Sequence, residues 1–571
     1  MTVARKLEPT EKNAPDLAEF RRRYPLTVAN FGAMGTRETW LKSIWATDAR
    51  WQETFAHDGD GAREVVVRGA PPAGLEVAGE FEIIYAGGVV GLLHAAVLAC
   101  RYHRRVLVFD AHEVGSVGRV WNTSDEELRE LVRAGLCTQE EIERAVVNRY
   151  EAGFVKFHDT ASRVKAPPLR LQRVLDVALD ADKLLALVAD KIRQQGAAGC
   201  ALLDGQCFVR AYVEPHRVTV ELADARGRKS LYAARLFVDA TGPSSPVARQ
   251  LNDGHAITHI RPTVGAVARG FMRGVEPDKV DFQTGEILVS TEDASAHRQL
   301  LWEGFAGSPA RDEYTTYLFF YDAVDSPADK SLLALFEDYF ERLPAYKRAG
   351  AHWRVLRPLF GYVPGGQPVG WKQRARTAGE RVLLIGAAAG AANPLALGSG
   401  AQLRHLHRLT HLTDLALAAD LLDARSLAEI NTDAPRVAPL ASLAEFLRPA
   451  PRSAPATVNE TLNAVMAALH ELDERVRREL FQDRLSWQAL KSLFGRTAQL
   501  YPRIFQRVRE HLGARGTFCW LAAAAAAAFS ERRAHTNVAA HEAQTTDELP
   551  AAKFARYVAR YKKERDVDEQ T

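Results

Sequence analysis

The stretch FEIIYAGGVVGLLHAAVLACRYHRRVLVFDA, residues 81–111, decides the fold prediction. An apolar run at 81–86 leads into a glycine-rich turn, a helical pattern follows through about Tyr102, and a second apolar run begins at Val106 and ends on Asp110. A strand, a tight turn, a helix and a second strand in this order are typical of the βαβ unit of a parallel sheet. The sequence therefore predicts an α/β fold whose first domain is Rossmann-like.

The turn in this unit has the composition of a dinucleotide-binding site. Gly87, Gly88 and Gly91 leave room for backbone N–H groups to approach a pyrophosphate, which also faces the positive N-terminal end of the helix. Asp110 ends the second strand, where an acidic side chain binds ribose hydroxyls. The first glycine position holds Ala86, and a loose glycine match also occurs in ordinary tight turns. The βαβ context and the terminal acid favour the binding site.

Two later segments indicate which dinucleotide would bind. LFVDATGPSSPVARQ places Asp239 and Gly242 after a buried strand, and RVLLIGAAAGAANPLALGSGAQLRHL places Gly386, Gly398 and Gly400 at a second glycine-rich turn and helix start. Together with the first motif, these segments resemble the three FAD-contacting segments of the flavoprotein class that includes aromatic hydroxylases and geranylgeranyl reductases. The resemblance favours FAD over NAD as the resident cofactor.

Four further blocks narrow the resemblance. GRVWNTSDEELRELVRAGLCT, LRLQRVLDVALDADKLL, QLLWEGFAGSPARDEYTTYLFFYDA and ANPLALGSGAQLRHLHRLT are similar to consecutive blocks of the CruA/CruP-type lycopene cyclase family, including its W-N-x-S, W-E-x-F and R-H-L-x-R-L-T elements. The similarity runs from about residue 80 to about residue 480. That family also tends to lack the first glycine of the turn, but its third segment commonly keeps Gly-Asp where this chain has Gly386-Ala387.

The resemblance implies a redox-neutral reaction on a carotenoid. A terminal double bond of lycopene is protonated, the tertiary cation closes a six-membered ring, and a proton is then lost. Reduced FAD is required in this scheme, with NAD(P)H as the reductant. Glu303 and Trp302 are the implied catalytic residues, the glutamate as acid or base and the indole as a cation–π partner. Trp121 and Asn122 are implied to lie near the flavin.

Each of these assignments has a structural alternative. Glu303 is equally compatible with a surface glutamate at a strand end. Trp121 and Asn122 are compatible with a helix lead-in, in which Thr123 or Ser124 caps the following helix. For the whole chain, a redox flavoenzyme acting on another hydrophobic substrate is one alternative, and a non-catalytic cyclase paralogue is the other.

Composition limits the partners. The 571 residues carry a formal net charge of +3 with basic residues spread along the chain, so nucleic acid is not an expected partner. No apolar run approaches the length of a membrane span, there is no signal-peptide core, and the five cysteines form no C-x-x-C pair. We expect a cytoplasmic protein, with peripheral contact at the inner face of a membrane left open. The histidines of RHLHRLTH lack completing ligands, so no metal site is expected.

The pattern of elements suggests a domain order. Aromatic strands such as YTTYLFFYDA suit a half-buried sheet, and the chain beyond Pro455 has helical periodicity. The predicted units are residues 1–80 as an N-terminal accessory segment, 81–261 as the first part of the FAD-binding domain, 262–375 as an inserted antiparallel-sheet substrate domain, 376–447 as the last part of the FAD-binding domain, 456–530 as a C-terminal helical region and 531–571 as a charged tail.

Overall fold

The computed structural model describes the chain in segments, namely residues 14–56, 64–74, 76–242, 244–253, 259–365, 376–389, 403–431, 445–450, 453–482, 485–510, 513–514, 517–518 and 549–567. The helices of these segments are α1 Leu17–Arg23, α2 Pro25–Asn30, α3 Arg37–Ala56, α4 Val90–Tyr102, α5 Asp125–Arg133, α6 Gln139–Glu143, α7 Ala181–Gln194, α8 Pro246–Leu251, α9 Leu332–Tyr346, α10 Leu406–Ala418, α11 Ala424–Ala428, α12 Thr457–Glu471, α13 Glu474–Phe481, α14 Trp487–Leu500 and α15 Pro550–Val567. Among the described helices, none is both long and apolar enough to cross a membrane.

A six-stranded sheet forms the centre of the predicted Rossmann-like domain. Its strands, in spatial order, are β10 Ala201–Leu203, β4 Val106–Phe109, β3 Ile83–Ala86, β14 Leu236–Asp239, β22 Val382–Leu384 and β21 Ala378–Gly379, and all pairs are parallel except the last. The apolar runs predicted as strands are buried on both faces, as expected in a parallel sheet. Helices α4, α7 and α10 cover one face.

A five-stranded sheet covers the other face of this domain. Its spatial order is β1 Val66–Arg68, β11 Gln206–Val213, β12 Val218–Asp224, β13 Lys229–Ala234 and β2 Val77–Glu80. Apolar side chains from both sheets share one core, so the domain has a helix layer and two sheet layers. The strands β1 and β2 belong to the segment predicted as accessory. They pair with the two edges that the meander β11–β12–β13 leaves open.

An eight-stranded sheet forms the predicted substrate domain. Its spatial order is β19 Asp322–Ala323, β15 His259–Phe271, β18 Glu313–Phe319, β17 Leu301–Ala306, β16 Thr284–Val289, β7 Ala152–Lys156 and β8 Leu169–Leu171, with β20 Ala349–Gly365 paired to β15. All pairs are antiparallel except β16 with β7. Two of these strands precede residue 262, so the sheet extends beyond the inserted segment. A separate three-stranded sheet has the spatial order β5 Val120–Thr123, β9 Val177–Asp180 and β6 Val146–Arg149, and its strands lie within the 81–261 segment.

The two faces of the eight-stranded sheet have different covers. Helix α9 and the N-terminal helices share one aromatic core with one face. Asp48 of α3 fixes this packing, because its carboxylate accepts hydrogen bonds from the backbone N–H groups of Leu332 and Leu333 at the start of α9. The C-terminal helices α12 and α14 pack on part of the other face, around Leu301 and Phe319.

The end of the described chain is also packed. Helix α15 lies within the segment predicted as a charged tail, and its Phe554 and Val558 join the core of the Rossmann-like domain. Tyr557 packs edge-on against His411 of α10, with 4.6 Å between the ring centroids. The apolar residues of α15 recur at helical spacing, which explains why this charged stretch forms a helix and docks.

Candidate functional site

The glycine-rich turn after β3 is shaped by its own neighbours. Gly87 has φ +105°, and a Cβ there would lie 2.5 Å from the carbonyl oxygen of Ala240. A Cβ on Gly91 would make a tight contact with the Ala240 Cβ, at a distance of 3.3 Å. These two glycines therefore let the turn and α4 pack closely against the loop that follows β14, which is one of the roles that glycines have in dinucleotide-binding turns.

Asp110 lies beside this turn. Its Oδ2 accepts a hydrogen bond of 2.7 Å from the N–H of Gly88, and its Oδ1 accepts one of 2.8 Å from the N–H of His112. Each carboxylate oxygen keeps lone-pair capacity for a ribose hydroxyl. Helix α4 begins after Val89, which provides no side-chain cap, so the first N–H groups of the helix have no capping side chain. The turn, the acid and the open helix N-terminus fit a dinucleotide.

Asp239, which the sequence predicts to bind the cofactor, makes its hydrogen bonds within its own loop. It is 1% exposed, and its Oδ1 accepts hydrogen bonds from the N–H and the hydroxyl of Thr241, while its Oδ2 accepts one of 2.5 Å from the Ser245 hydroxyl. Burial raises the pKa of this carboxyl, and the hydrogen bonds from Ser245 and Thr241 lower it. The side chain therefore shapes the loop around Gly242, which has φ +96°.

The third glycine-rich segment is described only at its start. Gly386 has φ +61° and opens a 3₁₀ turn, Gly386–Ala389, directly after β22. Ala387 is half-buried, and its methyl side chain offers no hydrogen-bond acceptor. The predicted cofactor residues Gly398 and Gly400 lie outside the described residues.

The segment with Trp121 and Asn122 connects the two predicted domains. Both residues lie on β5, and Ser124 caps α5 in a capping box with Glu127, so the helix lead-in is real. Glu127 also forms an ion pair with Arg404, 2.6 Å from Arg404 Nη1 to Glu127 Oε1, with each side chain 8% exposed. This pair ties the start of α5 to the residues just before α10. Sequence reasoning missed it, although both residues lie in elements that carry the family resemblance.

Glu303 is a half-buried titratable residue of the antiparallel sheet. It lies in the middle of β17, so the alternative of a surface glutamate at a strand end is wrong. The side chain is largely enclosed by protein atoms and keeps a small accessible surface. The amide nitrogen of Asn122 donates a 3.3 Å hydrogen bond to Glu303 Oε1. This contact brings the two predicted residues together.

The surroundings of Glu303 set its acidity. Burial raises the pKa of the carboxyl above its usual value, and the hydrogen bond from Asn122 and the charge of Arg261 lower it by smaller amounts. A carboxyl with a raised pKa keeps its proton to a higher pH than a free carboxyl does, and it can donate or accept a proton in turn. The site is therefore capable of general acid–base chemistry.

Trp302 does not share this site, which corrects the prediction that its indole assists Glu303. Neighbouring side chains of a strand point to opposite faces, so Trp302 lies on the α9 side of the sheet. It is 1% exposed and stacks on Tyr346, with 4.5 Å between the ring centroids and 18° between the ring planes. The indole therefore packs in the aromatic core, on the face of the sheet opposite to Glu303.

Arginines that the sequence analysis did not single out lie near Glu303. The guanidinium carbon of Arg261 lies 5.0 Å from the centre of the Phe319 ring and 5.8 Å from that of Tyr321. Tyr317 lies directly opposite Glu303 on β18. Burial raises the pKa of its phenol to about 12, and the charges of Arg119, Arg357 and Arg261 lower it. We call the side of the sheet that carries Glu303, Tyr317, Phe319, Arg261 and Arg357 the Glu303 face.

The histidine cluster has a packing role. His411 accepts or donates a 3.1 Å hydrogen bond with the Tyr102 hydroxyl and stacks near His407. Burial lowers the pKa of His411 to about 4, with the charge of His407 as a smaller cause. Across the described segments, no group of three His, Cys, Asp or Glu side chains is arranged to hold a metal ion.

Comparison with known proteins gives the fold. No family model matches the chain, and no curated protein matches it. A geranylgeranyl bacteriochlorophyll reductase-like protein from Thermoplasma acidophilum superposes with a TM-score of 0.50 at 15% identity, over 76% of this chain and 100% of that one. The halogenase PltM, in complex with phloroglucinol and FAD, superposes with a TM-score of 0.50 at 14% identity, over 85% of this chain and 96% of that one. The chain therefore has the α/β fold of these proteins, as the sequence predicted.

Proposed function

We propose that the protein is an FAD-dependent enzyme that closes rings at the ends of a carotenoid-like polyene without net oxidation or reduction. The observation that carries the proposal is Glu303, a largely enclosed carboxyl with a raised pKa that accepts a hydrogen bond from Asn122. The flavoprotein fold supports the cofactor, and the sequence resemblance to CruA/CruP-type lycopene cyclases supports the reaction.

The residues that would hold FAD lie in the first βαβ unit. The open N-terminus of α4, with Gly87 and Gly88 before it, would receive the pyrophosphate, and Asp110 would receive the ribose hydroxyls. When bound and reduced by NAD(P)H, FAD supplies an electron-rich ring whose negative charge stabilises positive charge on a neighbouring carbon. Because the Asp239 carboxylate accepts three hydrogen bonds within its own loop, we assign it a supporting role.

Glu303 would move the proton in this reaction. The protonated carboxyl donates its proton to the terminal double bond, and the resulting tertiary cation is attacked by a second double bond of the same chain, which closes the ring. The carboxylate then accepts a proton from a carbon next to the cation. One proton enters and one leaves, so the product is an isomer of the substrate. Asn122 holds the carboxylate oxygen in position through its amide nitrogen.

A polyene substrate also bears on where the protein works. Carotenoids dissolve in lipid, so we include peripheral contact with the inner face of a membrane in the proposal, together with a cytoplasmic location.

The test counts products per flavin. The protein is loaded with FAD, reduced without oxygen, separated from excess reductant, and given lycopene in liposomes. Many cyclised ends per flavin are expected, because a redox-neutral reaction does not consume the two electrons on FAD. A product that is oxidised, reduced or halogenated, formed with one flavin reoxidised for each turnover, would contradict the proposal.

A redox flavoenzyme is the second candidate, and the arginines favour it. Guanidinium groups near Glu303 oppose a carbocation but stabilise an anionic substrate or intermediate. The same assay separates the candidates, since a monooxygenase, halogenase or reductase consumes reducing equivalents in proportion to product.

A further inference from the structure

A buried ion pair holds the end of strand β5. Nη1 of Arg404 lies 2.6 Å from Oε1 of Glu127, and each side chain is 8% exposed. The other carboxylate oxygen of Glu127, Oε2, accepts hydrogen bonds of 2.9 Å from the Thr123 hydroxyl and of 3.0 Å from the Ser124 N–H. Thr123 is the last residue of β5 and is fully buried. Glu127 therefore ties the end of this strand to the residues just before α10.

Strand β5 also carries Asn122, the hydrogen-bond donor to Glu303. Successive side chains of a strand point to opposite faces, so Thr123 faces Glu127 while Asn122 points the other way, to Glu303. The amide oxygen of Asn122 is buried and accepts no hydrogen bond from the described residues. Because Glu303 is the partner of the amide nitrogen and the oxygen has none, the position of the amide depends on the backbone of β5.

This backbone is fixed along one edge. The three-stranded sheet has the order β5, β9, β6, and β5 pairs with β9. An edge strand lacks the second row of backbone hydrogen bonds that holds a central strand. The bonds from Thr123 and Ser124 to Glu127 supply additional fixation at the end of β5.

The charge of Arg404 keeps Glu127 in its place. A carboxylate withdrawn from water is costly unless it is paired and hydrogen-bonded, and removal of the cation from a buried pair leaves an uncompensated charge. Without Arg404, we expect Glu127 to turn toward water and to release Thr123. The position of β5 therefore depends on the ion pair.

We propose that Arg404, Glu127 and Thr123 are positioning residues for Glu303, because the ion pair fixes β5 and β5 holds the Asn122 amide against the carboxyl. The three residues act through Asn122 and are not themselves catalytic. The inference rests on the proposed function in taking Glu303 as the group that moves the proton.

Titration of the Glu303 carboxyl tests the inference without FAD, substrate or turnover. The full-length protein is labelled with ¹³C at the glutamate carboxyl carbons, and the NMR signal that is missing in Glu303→Gln belongs to Glu303. The hydrogen bond from Asn122 lowers the pKa of Glu303, so Asn122→Leu should raise this pKa. The acidity of Glu303 should weaken about tenfold, near the low end of the effect of a hydrogen bond to a charged group. Every variant keeps the other groups that act electrostatically on Glu303, namely Arg261, Tyr150, Tyr317, Tyr321 and Tyr346.

Two further variants loosen β5 and leave Asn122 in the chain. Thr123→Val keeps the shape of the side chain and the ion pair but removes the hydroxyl, and Arg404→Gln removes the charge that compensates Glu127. Each should weaken the acidity of Glu303 about two- to fivefold, because the hydrogen bond from Asn122 is then made less often. Neither should add to the effect of Asn122→Leu in a double variant, since both act through the same amide.

Asp414→Asn is the matched control. Asp414 lies on α10, and its Oδ1 lies 2.8 Å from Nε of Arg104 in an ion pair whose side chains are 17% and 20% exposed. This pair ties α10 to the first βαβ unit and not to β5, so the change should leave the titration of Glu303 as in the wild type.

Three outcomes would overturn the inference. They are an unchanged titration of Glu303 in both Thr123→Val and Arg404→Gln, an effect that adds in full to that of Asn122→Leu, and an effect of the same size in Asp414→Asn. If Arg404→Gln does not fold, as judged by its circular dichroism, Thr123→Val decides alone. Absence of cyclised product alongside the expected titrations would count against the proposed function and not against the positioning of Glu303.

Discussion

The two faces of strand β17 differ in how their polar and aromatic groups are satisfied. On the α9 side, Trp302 is enclosed by Tyr339 and Tyr346, and the buried carboxylate of Glu286 is paired with Lys347. On the other side, Glu303 has one amide partner and arginines without acids. The first face buries its carboxylate in an ion pair within an aromatic core, whereas the second holds a carboxyl with one amide partner and arginines without acids. Adjacent residues of one strand can therefore have different roles: Trp302 packs in the core, whereas Glu303 is the candidate for chemistry.

The largest effect is expected from a substitution in the aromatic core on the α9 side of β17. Trp302→Ala should lower the free energy of unfolding by about 3–5 kcal/mol, because the change leaves a cavity among the aromatic rings. Chemical denaturation of the variant against the wild type measures this loss. Trp302→Phe should lose less stability and keep full turnover per folded molecule. If the phenylalanine variant is stable but inactive, the indole does act on the substrate and the two faces are not separate.

A substitution at Glu303 should lower enzymatic activity and leave the free energy of unfolding unchanged. Glu303→Gln is expected to reduce turnover at least a hundredfold, near the low end of general acid–base effects, because an amide cannot exchange the proton. Unfolding and FAD binding should stay close to those of the wild type. Glu313→Gln, on the neighbouring strand β18 and away from this site, is the matched control. Normal turnover of Glu303→Gln would remove the carboxyl from the mechanism.

A buried hydrogen-bonded pair of polar side chains in the Rossmann-like domain gives a third test. His94 is buried and shares a 2.8 Å hydrogen bond with the Tyr85 hydroxyl, and burial lowers its pKa from 6.5 to about 3. Below pH 6.5 the unfolded chain takes up a proton that the folded chain does not, so stability falls as the pH decreases. The contribution of His94 should reach about 2 kcal/mol by pH 5.

The measurement is the difference in pH dependence between variants. The stability of His94→Gln should change less between pH 7 and pH 5 than that of the wild type, whatever its absolute stability. His112→Gln, which removes an exposed histidine, should leave the wild-type pH dependence unchanged. Identical pH dependence for wild type and His94→Gln would show that His94 can be protonated in the folded protein.

The smallest effect concerns the affinity for FAD. Ala387 offers no hydrogen-bond acceptor at the position where the sequence resemblance implies an aspartate. Ala387→Asp should tighten FAD binding about tenfold, since a hydrogen bond to a charged group contributes about 1.5–3 kcal/mol and part of this is lost in ordering the side chain. Titration of the apoprotein with FAD, followed by flavin fluorescence, measures the change. Unchanged or weaker binding would indicate that another group already serves the flavin.

The amino-acid sequence by itself determined the local elements. Alternating and continuous apolar runs predicted the strands β3, β4 and β14, and the glycines of the first turn predicted its tight geometry, because both signals depend on consecutive residues. Glu303 was also found from its sequence neighbourhood. The same neighbourhood gave a wrong role for Trp302, since proximity along a strand does not mean a shared face.

Only the tertiary structure decided which groups meet. Asn122 reaches Glu303 across 181 positions of sequence, Glu127 reaches Arg404 across 277, and Arg357 joins the Glu303 face through the register of three strands. The structure also shows that the Asp239 carboxylate accepts hydrogen bonds from Thr241 and Ser245 of its own loop. The physical reason is that periodicity and backbone preference are properties of a short segment, whereas a hydrogen bond, an ion pair or a shared face depends on how distant segments pack.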